Sequence, residues 1–166
     1  SRTYTALSGH NKCFVLSTRV EFGILGHYNK NMRSPFETFY VGGDGTNGYS
    51  TSYATETIVM RGYDNGSLTP RDAAGYDRFS VELRYPFMLS PSTNIFGLVF
   101  AEAGNAWSNI KDFNPLDMKR SVGAGVRIYL PMVGLLGIDW AYGFDSVYGS
   151  RAYSGSHFHF ILGQEF

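Results

Sequence analysis

Cysteine is nearly missing: Cys13 stands alone in 166 residues, which excludes an internal disulfide and any multi-cysteine zinc site. A lone thiol in an apolar stretch reads as packing. Charge is scarce as well. Charged residues make up 17% of the chain, below the ~25% of an average soluble domain. Lys+Arg and Asp+Glu both number 14, so no net charge exists to attract nucleic acid or an acidic partner. Long hydrophobic runs are absent: stretches such as 132–138 fall far short of the ~20 residues of a membrane-spanning helix, whereas a membrane-spanning strand takes only about 9 to 11. No basic segment followed by an apolar one opens the chain, so a secreted form would be mature or begin further upstream. Helical periodicity is missing too. No window carries apolar residues at three- and four-residue spacing between caps, which predicts little helix.

What is abundant is aromatic residues, at 16%, and alternation of period two, which sends successive side chains to opposite faces of a strand. Over 14–24, Phe14, Leu16, Thr18, Val20, Phe22 and Ile24 oppose Ser17, Arg19, Glu21 and Gly23. Over 79–87, Phe79, Val81, Leu83, Tyr85 and Phe87 oppose Ser80, Glu82, Arg84 and Pro86, and the missing amide of Pro86 predicts that the strand ends there. Val122, Ala124, Val126, Ile128 and Leu130 oppose Ser121, Gly123, Gly125, Arg127 and Tyr129, and 136–144 repeats the split against Asp139 and Asp145. Residues 95–103 are apolar on both parities, so their facing stays open. The last segment sets Phe158, Phe160, Leu162 and Phe166 against His157, His159, Gly163 and Glu165.

Connections between these segments alternate in length: short at 8–12, long at 26–78, short at 89–93, long at 105–119, short near 132, long at 146–154. Short turns at one end and long loops at the other characterise an up-and-down outer-membrane barrel. The fold class predicted is therefore all-β, an antiparallel transmembrane β-barrel. About seven strands are countable, against an even number from 8 upward in single-chain bacterial barrels, so this is a portion of a larger barrel.

The connection 26–78 far exceeds the ~12–15 residues beyond which unstructured loops are uncommon. It carries Phe39-Tyr40-Val41-Gly42-Gly43 and Met60-Arg61-Gly62-Tyr63, apolar patches joined to glycines that allow tight bends, which predicts internal structure. These two elements, with Leu83-Arg84-Tyr85-Pro86 and the run from Phe100 to Trp107, resemble the sixth loop of the BamA family and the strands after it. The resemblance implies the C-terminal part of a barrel of about 16 strands over 1–166, with the sixth-loop insertion at 26–78 and periplasmic repeats outside this chain. It further implies a loop folded into the lumen, with Arg61 against Glu82 and Glu102. Guanidinium geometry suits that pairing, since a confined arginine needs carboxylates to offset its desolvation.

On the same resemblance, the last strand, with Phe158, Phe160, Leu162, Gly163 and Phe166, forms a lateral seam and terminal insertion signal. Unpaired strand edges template incoming strands, and a glycine such as Gly163 permits a kink or is simply tolerated near a rim. The expected function is insertion of other barrels into the bacterial outer membrane, with no enzymatic step and no cofactor. The partners implied are unfolded barrel clients, accessory lipoprotein subunits and membrane lipid. A related transporter that exports one dedicated protein shares the arginine motif and is the alternative.

Other readings carry less. His157-x-His159 places two imidazoles on one face without a third ligand. Asp139, Asp145 and Glu21 have no nucleophile at catalytic spacing and read as lumen polarity, and His10 and His27 lack a triad partner. Asn65-Gly66-Ser67 fits a glycosylation sequon but reads as a turn. A soluble barrel would turn its greasy side chains inward instead.

Overall fold

The computed structural model describes residues 1–7, 14–25, 39–43, 56–68, 73–90, 92–114, 116–132, 134–147 and 149–162. Seven strands form one antiparallel sheet in the order β1-β2-β5-β6-β7-β8-β9: β1 (Arg2–Ala6), β2 (Val15–Ile24), β5 (Gly75–Ser90), β6 (Thr93–Trp107), β7 (Lys119–Leu130), β8 (Gly134–Ser146) and β9 (Tyr153–Leu162). Two short strands, β3 (Phe39–Val41) and β4 (Glu56–Ile58), pair in parallel inside the long β2–β5 connection. Neighbours in the chain are neighbours in the sheet, as an up-and-down meander requires.

The alternation sets the faces. Phe22, Val81, Val126, Trp140, Phe158 and Phe160 are exposed on one side, while Arg78, Glu82, Glu102, Arg127, Asp139 and His159 are buried on the other. That arrangement inverts a soluble barrel and suits a wall with lipid outside and a polar interior. Residues 95–103 fall into the same scheme: Leu98, Phe100 and Glu102 point inward, and Val99 points outward.

Two expectations shift. The strand does not end at Pro86: β5 runs on to Ser90. It leaves β2 at the Arg84–Val15 pair, and the register to β6 shifts between Pro86 and Met88. A bulge is a setting in which a sheet tolerates proline. Secondly, β5 begins at Gly75, inside the span that alternation left to the loop. Asp145, half-buried at the end of β8 on the parity of Asp139, accepts hydrogen bonds from the exposed Arg120.

The loop between β2 and β5 has a small core of its own. Phe39, Val41, Ile58, Met60, Tyr63 and Leu68 pack together against Tyr76 and Ala106 of the wall. Gly42 (φ 127°) and Gly43 (φ 83°) turn the chain after β3, so that Gly43 and Met60 exchange both backbone hydrogen bonds at 3.1 Å. Asp64 to Ser67 closes a turn through a 3.0 Å bond from the Ser67 amide, which places the Asn65-Gly66-Ser67 triplet in that turn. Cys13, His10 and His27 lie outside the described residues.

Candidate functional site: a loop arginine docked on the inner wall

The inner faces of β5 to β9 converge on residues 61–63. Register pairs Ser80 with Glu102, Glu102 with Ser121, Ser121 with Gly143, and Asp139 with His159. Charged residues therefore line the two flanks of an inward row, while β7 and β8 offer Ser121, Gly123, Gly125, Ala141 and Gly143 between them. Small side chains there leave a trough for the loop. A Cβ built on Gly143 would lie 2.3 Å from the carbonyl oxygen of Gly62, so the loop backbone rests directly on β8.

Gly62 rests in that trough, and Arg61 beside it lies over the Phe100 ring, which covers Gly123. The Arg61 Nη2 donates to Glu82 Oε1 at 2.6 Å and to Glu102 Oε1 at 2.5 Å. Its Nε donates to Glu102 Oε1 at 3.0 Å, its backbone N–H to Glu102 Oε2 at 2.9 Å, and its Nη1 to Asp139 Oδ2 at 3.1 Å. The guanidinium carbon stands 3.6 Å from the centroid of the Phe100 ring, a cation over a π face. Burial works against the charged guanidinium, but Glu102, Glu82 and Asp139 together outweigh it and hold Arg61 more firmly protonated than a free arginine.

Each carboxylate is also shared. Glu82 accepts from Arg84 at 2.9 Å, Glu102 from Arg78 at 2.8 Å, and Asp139 from both terminal nitrogens of Arg127. Arg78 reaches on to Glu21 at 2.9 Å, and Glu21 to Arg19 at 2.5 Å. Five arginines and four carboxylates thus form one connected network, in which almost every buried charge is offset by its neighbours.

The rest of the motif is fixed as tightly. Met60 is fully buried in the loop core. Gly62 has φ 89°, a conformation that costs glycine little. The Tyr63 hydroxyl donates to the Arg120 carbonyl at 2.7 Å, and burial pushes its pKa up to about 12. On β9, Phe158, Phe160 and Leu162 all face outward, whereas Gly163 and Phe166 lie outside the described residues.

Sequence reasoning placed Glu82 and Glu102 opposite Arg61 and read Asp139 and His159 as lumen polarity without assigning either its partner; His159 Nε2 accepts the Gly62 N–H at 3.0 Å. Both share the inward parity, and that was the available clue. Among the described residues no cluster of three His, Cys, Asp or Glu is arranged to hold a metal. His157 faces Ser154 and Asp64 instead.

An aromatic outer face, a charged inner face and a structured loop docked on that inner face define the class: a wall of an outer-membrane β-barrel. The family model described as the Omp85 superfamily domain matches residues 1–166, and the chain belongs to that superfamily. Its members are outer-membrane proteins that insert or transport other proteins and are not enzymes. A comparison with curated proteins found no match.

Proposed function

We propose that this chain is the seam-bearing wall and docked sixth loop of a BamA-like assembly factor, which folds and inserts other β-barrels into the bacterial outer membrane. One observation supports the reading: the Met60–Tyr63 segment of the β2–β5 loop docks on the inner wall through Arg61, which Glu82, Glu102 and Asp139 hold. In this reading β9, whose outward side chains are aromatic or aliphatic, is the seam strand, and a strand edge at such a seam takes an incoming strand by β-augmentation. Lipid beside it receives the apolar side chains of the new strand. The partners are then unfolded barrel clients, membrane lipid and accessory subunits, with lipoproteins the expected kind. Met60, Arg61, Gly62 and Tyr63 hold the loop, Glu82 and Glu102 anchor it, and Phe158, Phe160 and Leu162 form the seam strand.

Depletion of the protein in cells, followed by quantitative mass spectrometry of the outer membrane, tests this. A joint fall of many unrelated barrels is expected. Loss of a single secreted protein, with other barrels unchanged, would replace the reading with that of a dedicated transporter.

A further inference from the structure

Both backbone polar groups of Gly62 face β9. Its N–H donates to Nε2 of His159 at 3.0 Å, and its carbonyl accepts from Oγ of Ser154 at 2.7 Å. The left-handed φ of Gly62 permits this, and a Cβ on it would come within 2.8 Å of the Cβ of Ser121, so no larger residue takes the place without a shift. His159 is buried and sits opposite Asp139 in the β8–β9 register, and Asp139 is held by Arg61, the residue next to Gly62. Asp64 adds an ion-pair contact to His157 at 3.3 Å, and His157 in turn lies 2.9 Å from Ser154 Oγ.

We propose that Ser154 and His159 are positioning residues, a clasp through which the docked loop holds β9 from the lumen side. The geometry gives the clasp a specific use. A strand that offers its free edge must stay in place while that edge is unpaired, and side-chain bonds from the inner face restrain it without consuming any edge N–H or C=O. The Gly62 N–H needs a lone pair on Nε2, so His159 acts as an acceptor there, with that nitrogen unprotonated. The functional consequence rests on the assembly reading; the clasp itself does not.

The test is hydrogen exchange on the protein reconstituted in phospholipid vesicles, comparing β9 amides with β7 amides as an internal control. His159→Phe, which keeps a ring but removes the acceptor, is expected to speed β9 exchange about tenfold while β7 is unchanged. His159→Gln, whose amide oxygen accepts, is expected to restore slow exchange, and Ser154→Ala to give a smaller increase than His159→Phe. Unchanged β9 exchange in folded His159→Phe, or failure of Gln to rescue it, overturns the clasp. If His159→Phe does not fold, Ser154→Ala decides, because it removes one hydroxyl only: unchanged exchange there overturns the clasp equally. Exchange does not depend on clients. Depletion that spares other barrels would therefore remove the assembly reading and leave the clasp, whereas unaltered exchange would remove the clasp whatever depletion gives.

Discussion

Arg61 is buried to 3% exposure and spends its donors on three carboxylates from three different strands. Breaking a buried ion-pair network by removing one partner costs up to about 3–5 kcal/mol. Arg61→Ala takes one of two arginine partners from each of Glu82, Glu102 and Asp139, and Glu82→Arg sets a third guanidinium group against those of Arg61 and Arg84. Both are expected to lower the urea midpoint of the folded barrel and to impair outer-membrane assembly in cells; wild-type behaviour in both would show that the network does not hold the loop. Arg61 and its two glutamates were legible because alternation gives the face and the resemblance gives the loop. Asp139 was not, since it lies 78 residues from Arg61 and only the registers of β5 to β8 bring the two together. Alternation assigns a face but never a register.

The loop behaves as an element because it has a core and a seat. Internal structure was readable from its apolar patches and glycine pairs, whereas the parallel pairing of β3 with β4 was not, because three-residue strands carry too little pattern. The seat on β8 gives a direct test. Gly143→Val drives a side chain into the Gly62 carbonyl and Ser154, and overpacking of this kind costs about 1–3 kcal/mol. The loop is expected to lift off the wall while the sheet persists, so limited proteolysis should cleave within 56–68 in Gly143→Val and spare the wild type. Equal resistance would mean that the contact is soft. Pro86 teaches the opposite lesson to the glycines: a breaker read from sequence alone was overridden by its place beside a bulge.

At the scale of the molecule, the outward face decides where the protein can live. Val126 is 44% exposed near the middle of β7, flanked outward by Ala124 and Ile128. Val126→Arg puts a charge on that face and is expected to cost about 2–4 kcal/mol near the bilayer midplane, measured by urea unfolding from lipid vesicles. No loss of stability would place the face outside hydrocarbon. The strand directions add a constraint on architecture. Seven antiparallel strands leave β1 and β9 running the same way, so an antiparallel ring that includes this sheet takes an odd number of further strands.

The three carboxylates around Arg61 also bear on how the wall is built. Glu82, Glu102 and Asp139 belong to β5, β6 and β8, and a slip of one residue in any pairing would turn a carboxylate from the inner face to the outer. A mispaired sheet therefore cannot gather all three around one guanidinium, and the loop cannot settle on it. The completed Arg61 site requires β5, β6, β7 and β8 to be paired in their native registers, and the docked loop is a readout of that pairing.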